Sequence, residues 1–276
     1  MSTPPNPDLE FAVGLAARAG ELLTASYERV TRVDRKSRRD VVTDVDYASE
    51  ALVIKAINDR FPDDAILAEE SGRHDAPHPP RARWSRRTWV IDPLDGTVNY
   101  ANGIPFFCVS IALVEAGRPM VGVVLDPLRG DCYAATADGS ATLNGEPVRA
   151  SDKGELGDCV VSLAIIGRGG IARERRVARE IRIGRRMGSA ALALAYVASG
   201  RFDAYVQNGG MSLWDIAAAG LIAERSGAVV TDLYGRAWWN VRKRGPRLSI
   251  VAAPPQHHGT LLTLLRDART TVQTRR

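Results

Sequence analysis

The sequence predicts an α/β fold of layered helices and sheets in two lobes, on three observations: an amphipathic helical stripe near its start, a meander of short β-type segments through its middle, and an alternation of helices and strands in its last third. The lobes divide near residue 150, as 1–150 and 151–276, with no flexible linker between them. At 276 residues, 45% hydrophobic and 25% charged, the chain can bury its own core and is not disordered in composition.

In chain order, Leu9, Val13, Ala16, Gly20, Leu23, Tyr27 and Val30 recur at steps of four and three, which predicts a first helix with Asp8 as its N-cap. Thr43 and Asp46 have capping-box spacing and open a second helix through Ala48, Ala51, Leu52 and Ile54, which Pro62 stops. Strand-like runs at 65–68 and 88–91 flank a Pro-, Arg- and His-rich stretch, 73–87, that reads as an exposed loop. Further strands at 107–114, 120–125 and 132–136 are separated by turn residues that include Asn144-Gly145, giving a mostly antiparallel meander. Then follow a strand at 160–165, a helix at 190–199 ended by Gly200, a strand at 204–207, a helix at 216–225 ended by Gly227, and a strand at 228–232.

Several function classes fall away. The widely spaced Cys108, Cys132 and Cys159 form no CxxC, so neither a disulfide framework nor a zinc site is expected. With no basic-then-apolar leader and no uninterrupted run of about eighteen apolar residues, the expectation is a cytoplasmic protein with no membrane partner. His74, His78, His257 and His258 lack metal-ligand spacing and are expected at the surface. Trp238-Trp239 fits a lobe edge or a subunit contact equally well. The net charge of +5 suits an anionic small molecule as readily as a nucleic acid.

Chemistry concentrates in Asp92-Pro93-Leu94-Asp95-Gly96-Thr97. An apolar run delivers Asp92 at its end, Pro93 blocks the β ladder, and Asp95 follows three residues later, so the turn can aim two carboxylates at one point. Convergent carboxylates suit a hard cation, and the backbone N–H groups of Gly96 and Thr97 suit a phosphate beside it. By composition the same residues are also an ordinary turn. Glu69-Glu70-Ser71 again ends an apolar strand, although such a pair alone is a solvated surface feature. Asp215 with Ser212, like Asp46 with Thr43, has the spacing of a helix cap.

Taken together, Glu69-Glu70-Ser71, the Asp92 to Thr97 motif and Trp214-Asp215 followed by Ile216-Ala217-Ala218-Ala219-Gly220 resemble the inositol monophosphatase family of magnesium-dependent, lithium-sensitive phosphatases, over about residues 8 to 265. The resemblance implies mixed and antiparallel sheets between helix layers. It implies a first Mg²⁺ on Glu69, Asp92 and the Leu94 carbonyl, a second on Asp92, Asp95 and Asp215, and a third, weakly held, through water steadied by Glu70. It pairs the Thr97 hydroxyl with Asp46 near the attacking water, and gives Glu70, Thr97 and Asp46 catalytic roles. It draws substrate contacts from Asp95, Gly96, Thr97, Asp215 and the Gly188-Ser189-Ala190 segment, where Ser189 is equally a helix cap. Gln207 stands where inositol phosphatases usually carry a glutamate, and one residue is inserted before Trp214.

The function so implied is Mg²⁺-dependent hydrolysis of a small phosphorylated alcohol, in a homodimer. Inositol monophosphate is the first substrate, and histidinol phosphate, sugar phosphates and nucleotide phosphates are the alternatives. Oxygen donors alone suffice for Mg²⁺, and two such ions about 4 Å apart activate a water and neutralise the phosphoryl oxygens without a covalent intermediate. A reading from another class is a regulatory RNA- or polymerase-binding protein. It would use the run Arg168, Arg173, Arg175, Arg176, Arg179, Arg182, Arg185 and Arg186, most simply a solvated helix face. That run has no interleaved aromatic residues, so nucleic acid is not the expected partner. Gly167-Arg168-Gly169-Gly170 completes no phosphate-loop pattern and reads as a loop.

Overall fold

The middle-third strands carry apolar side chains at consecutive positions, which requires cover on both of their faces. The computed structural model, which describes residues 6–29, 32–35, 41–75, 87–165, 167, 169–241 and 248–266, provides it. Helix α1 (Pro7–Ser26) precedes a hairpin of β1 (Val33–Arg35) and β2 (Val41–Thr43), then α2 (Asp44–Arg60). There follow β3 (Ala65–Ala68), β4 (Gly72–His74), β5 (Thr88–Asp95), the short α3 (Thr97–Ala101), β6 (Cys108–Glu115), β7 (Arg118–Asp126), β8 (Asp131–Thr136), β9 (Thr142–Leu143) and β10 (Glu146–Pro147). The last part holds β11 (Val160–Ala164), α4 (Gly170–Glu180), β12 (Ile183–Arg185), α5 (Ala190–Ala195), β13 (Ala204–Met211), α6 (Leu213–Arg225), β14 (Val229–Thr231), β15 (Leu248–Ala253) and α7 (Pro255–Leu265).

An eight-stranded sheet runs β10-β9-β8-β7-β6-β5-β3-β4, antiparallel except for β3 beside β5. A five-stranded sheet runs β12-β11-β13-β15-β14, with β11 parallel to both its neighbours. Helices α1 and α2 cover one face of the first sheet, α5 and α6 lie between the sheets, and α4 and α7 cover the outer face of the second. The expected mixed and antiparallel sheets between helix layers are therefore present.

Period two explains how one strand serves two layers. On β6, Val109, Ile111 and Leu113 join the core with α1 and α2, while Cys108, Ala112 and Val114 join the core with α5 and α6. The middle helical layer comes from beyond residue 150 and packs on the sheet before it, so both parts of the chain share one apolar core.

The structure corrects several local expectations. Asn6, not Asp8, caps α1: its Oδ1 accepts the Asp8 and Leu9 amides at 3.0 and 3.1 Å, Pro7 takes the first turn, and Asp8 instead pairs with Arg87 at 2.8 Å. The helix ends at Ser26, because Tyr27 turns extended and Glu28 has φ +61°. Val30, His78, Arg168 and most of the 73–87 loop lie outside the described residues. The helix expected over 190–199 is α for one turn and a half and then tightens to a 3₁₀ turn, Tyr196–Ser199. Strand β15 and helix α7 have no counterpart in the sequence expectations. Trp238 is buried against Gly220 of α6, and the Trp239 indole donates to the Gly117 carbonyl at 2.7 Å, so the pair closes an edge of the fold.

His257 and His258 are buried, not at the surface, because the first turn of α7 tucks under β14 and β15. His257 Nε2 lies 2.7 Å from the Lys153 carbonyl and His258 Nε2 lies 3.0 Å from Thr231 Oγ1. Burial pushes the His258 imidazole below its ordinary value of 6.5. The unfolded chain then takes up the proton first, so this contribution to stability is present above about pH 6.5 and is lost as the pH falls through and below it. Denaturant titrations at about pH 7.5 and 5.5 are expected to show a smaller acid destabilisation in His258→Asn than in the wild type; an equal one would refute it. No helix among the described residues is long and apolar enough to cross a membrane.

Candidate active site

The site is built on a break in one strand. Asp92 pairs with Ser110 of β6, and Asp95 pairs with Cys108, so three steps along β5 meet two along β6. Pro93 does not end the ladder, as the sequence led one to expect; lacking an N–H, it is accommodated in a bulge and pairing resumes at Asp95. In a regular strand residues three apart face opposite ways, but opposed residues share a face, and Ser110 and Cys108 are two apart. The bulge thus turns Asp92 and Asp95 to the same side, toward α5 and α6. Asp92 Oδ1 accepts the Leu94 amide at 3.1 Å, and Ser49 of α2 donates to the Pro93 carbonyl at 3.2 Å.

Other carboxylates converge from separate elements. Asp215, at the third position of α6, accepts the Ser212 amide at 2.6 Å. Its turn is docked by Ser110, whose hydroxyl lies 3.3 Å from the Trp214 carbonyl. One oxygen each from Asp92, Asp95 and Asp215 lie within 4.8 Å of one another. Glu69, at the end of β3, hydrogen-bonds to Asp92. Burial, then the charges of Glu69, Asp95 and Asp215, hold the Asp92 carboxyl well above the ordinary carboxylate range. Burial raises Asp95 as well, against hydrogen bonds from Ser189 and the first amides of α5. Mutually repelling oxygen donors, two of them buried and two half-buried, without imidazole or thiolate are a donor set for a hard divalent cation such as Mg²⁺.

The Glu69-Glu70-Ser71 turn is held by Glu50 of α2, a buried side chain whose carboxylate accepts the Glu70 and Ser71 amides at 2.8 and 2.9 Å. The same helix presents Asp46, four residues earlier and equally buried. Asp46 Oδ2 accepts the Thr43 amide at 2.8 Å, completing the expected capping box, and its Oδ1 accepts the Thr97 hydroxyl at 2.8 Å. Thr97 Oγ1 also lies 3.1 Å from the Leu94 carbonyl.

Gly96, at φ +102°, begins α3 and packs so closely that a Cβ there would stand 3.1 Å from the Phe106 carbonyl and 3.2 Å from Ser189 Cβ. Asn99 donates to the Phe106 and Met187 carbonyls at 2.7 and 2.8 Å, tying α3 to the approach of α5. Gly188, at φ +85°, makes room for it: a Cβ there would meet the Asn99 amide at 2.8 Å. Ser189 caps α5 through the Leu192 amide at 3.3 Å, and its hydroxyl and the Ala191 amide bind Asp95 Oδ2 at 2.5 and 2.7 Å.

Beside the carboxylates opens a pocket of about 260 Å³, whose lining includes Asp95, Asp215, Gly188, Ser189 and Ala190 together with Ser162, Tyr205, Gln207 and Arg186. Burial, with Asp95 and Asp215 nearby, keeps the Tyr205 phenol protonated, and it donates to Gln207 Oε1. The Gln207 amide donates to the Gly209 carbonyl at 2.9 Å. Just beyond, β13 is irregular: its four steps from Gln207 to Met211 meet two of β15. All three cysteines are free, and burial raises each thiol, Cys132 and Cys159 to about 11, so none is a thiolate nucleophile at neutral pH.

The structure thus brings Glu69, Asp92, Leu94, Asp95, Thr97, Asp46 and Asp215 together, with Glu70 beside them and Gly96, Gly188, Ser189, Ala190 and Gln207 around the adjoining space. Sequence reasoning gave no role to Ser49, Glu50, Asn99 and Ser110, and read Arg186 only as part of the basic run. The spacing of Asp46, Ser49 and Glu50 along one helical face was a signal for the first two.

The family model described as the inositol monophosphatase family matches residues 5–270. The Nus factor SuhB of Pasteurella multocida is 38% identical over 238 residues, covering 83% of this chain and 86% of that protein. Among solved structures, the extragenic suppressor protein suhB of Bartonella henselae has a TM-score of 0.87 at 30% identity, covering 95% of this chain and 100% of the other. An IMPase of Thermotoga maritima has a TM-score of 0.83 at 30% identity, covering 98% and 99%. With a family model that matches nearly its whole length and solved structures that share its layers, the chain belongs to the inositol monophosphatase family.

Proposed function

We propose that the protein hydrolyses a small-molecule phosphate monoester with Mg²⁺, and that inositol monophosphate is the first substrate to test. The observation that carries this reading is the convergence of Asp92, Asp95 and Asp215 from a bulged strand and a separate helix to within 4.8 Å. Glu69, Asp92 and the Leu94 carbonyl would hold one ion and Asp92, Asp95 and Asp215 a second, with Glu70 placed for water on a third. Bound divalent ions lower the pKa of a water and neutralise charge on the phosphoryl oxygens. Thr97 orients the attacking water through its oxygen, because its proton is held on Asp46 Oδ1, and Asp46 is itself fixed by Thr43. Gly188, Ser189, Ala190 and Gln207 line the space for the alcohol, and Gln207 offers it an uncharged amide. A homodimer and a cytoplasmic setting, implied by the family resemblance, belong to this reading.

The test is release of inorganic phosphate, with Mg²⁺, from inositol monophosphate, histidinol phosphate, sugar phosphates and nucleoside monophosphates. Turnover of none would overturn it. Because a cation relieves the repulsion among the buried carboxylates, the melting temperature is expected to rise by several degrees across a millimolar Mg²⁺ titration. An unchanged value would count against the site.

A second reading is favoured by two observations: relatives bear the name Nus factor SuhB, and α4 exposes Arg175 and Arg179 within the basic run. It is an RNA- or polymerase-binding regulatory protein. RNA binding lost on Arg-to-Ser changes across that run, in a protein with no turnover on any ester, would establish it over the first.

A further inference from the structure

Strand β11 divides its side chains between two layers. Val161 and Leu163 enter the core with α4 and α7, whereas Ser162 and Ala164, one step out of phase, line the pocket beside the carboxylates. Ser162 is 2% exposed, yet its hydroxyl forms no hydrogen bond with any described residue. We infer that the Ser162 hydroxyl binds a hydroxyl on the alcohol portion of the substrate, and so selects phosphate esters of polyols over those of apolar alcohols. The inference rests on the phosphatase reading of the carboxylate cluster and names the substrate class of that site.

The neighbours of Ser162 single it out. Ser162 stands in register with Tyr205 and Ala164 with Gln207, so the four share one face of the sheet and line one stretch of the pocket. Three side-chain hydroxyls among the described residues open on that space, from Ser162, Ser189 and Tyr205. The Tyr205 hydroxyl is spent on Gln207 Oε1, while the Gln207 amide is held by the Gly209 carbonyl at 2.9 Å. The Ser189 hydroxyl is spent on Asp95 Oδ2 at 2.5 Å and on the Leu192 amide at 3.3 Å. Ser162 is left as the lining hydroxyl with both its donor and its acceptor capacity unused.

A buried hydroxyl without a partner opposes folding, and an alanine beside Ala164 would not carry that cost. A ligand group that pairs with the hydroxyl removes it. The stretch formed by Ser162, Ala164, Tyr205 and Gln207 carries no formal charge, so the group that matches it is itself neutral and able to donate or accept. A cyclitol or sugar presents such a group on most of its ring carbons, and about 260 Å³ is of a size for one ring. When an apolar alcohol fills the same space, the Ser162 hydroxyl stays buried and unpaired, and the ester is disfavoured on that account.

The test compares myo-inositol 1-phosphate with cyclohexyl phosphate, a ring of the same size without hydroxyls. The wild type is expected to favour the inositol ester in kcat/KM, and Ser162→Ala to reduce that preference about tenfold, chiefly through KM. The value for cyclohexyl phosphate should not fall, because the alanine leaves no hydroxyl unpaired against it. Since the Ser162 hydroxyl makes no bond within the fold, the melting temperature of Ser162→Ala should equal or exceed that of the wild type. A fall of several degrees would give the hydroxyl a structural role and overturn the inference. A wild type that does not favour the inositol ester, a preference unchanged in Ser162→Ala, or an equal loss on both esters would overturn it as well. Calorimetric titration of myo-inositol 1-phosphate into Asp92→Asn protein, with and without Ser162→Ala, reads the same contact without turnover, and the added substitution should weaken Kd about tenfold. Absence of hydrolysis of every ester would defeat the phosphatase reading, and binding that depends on Ser162 would still support the hydroxyl contact. Binding that is absent, or indifferent to Ser162, defeats that contact.

Discussion

Asp92→Asn is expected to lower phosphate release about a thousandfold or more while making the metal-free protein more stable. The asparagine keeps the oxygen that accepts the Leu94 amide, so the turn survives, but a ligand shared by both proposed ions loses its charge. Stability moves the other way because Asp92 is buried against Glu69, Asp95 and Asp215. A carboxyl whose folded pKa is raised above 3.8 contributes stability that is fully present below that value and lost as the pH climbs through the folded pKa. In chelator, the wild type should therefore weaken as the pH rises from about 4 toward neutrality, and Asp92→Asn should weaken less. Activity assays at saturating Mg²⁺ and denaturant titrations in chelator check the two halves. Activity within tenfold of the wild type would remove Asp92 from the machinery.

The second large effect is expected at a residue that touches neither the proposed ions nor the alcohol. Glu50→Ala leaves the Glu70 and Ser71 amides without their buried acceptor, about 1–3 kcal/mol for each orphaned group, and loosens the turn that aims Glu69. The expected result is a fall of about a hundredfold in kcat and a shift of half-saturation to higher Mg²⁺. Glu50→Gln should be nearly as harmful, because one amide oxygen cannot serve two donors while its NH₂ faces an N–H. A Glu50→Ala enzyme within twofold of the wild type at every Mg²⁺ concentration would show that the turn holds itself.

The difference between these two residues marks what was legible in the sequence. Asp92, Asp95, Thr97 and Asp215 sit in motifs where strand end, proline, glycine and helix cap follow in a short stretch, so local rules bring them into view. The Thr43 and Asp46 cap was legible for the same reason. Glu50, Ser49, Asn99 and Ser110 act on groups 20 to 104 residues away, as when Ser110 reaches Trp214, and apart from the place of Ser49 and Glu50 on the Asp46 face of α2 no local rule points to the groups they hold. Periodicity identified the central strands because both their faces are buried, yet it missed β15 and α7. His257 and His258 read as surface residues because two polar side chains opening a terminal helix carry no sign of the elements that close over them.

The extra residue at Pro93 makes the spacing between Asp92 and Asp95 a matter of parity as well as distance. Without the bulge the same three-residue spacing would put the two acids on opposite faces, one of them in the layer of α1 and α2; deleting a residue together with the bulge would keep them on one face but draw the turn and its Leu94 carbonyl out from between them. Substitutions here can be graded, from aspartate to glutamate to asparagine, but insertions and deletions cannot. Drift in this lineage is therefore expected to change the letters of the segment and hold its count constant.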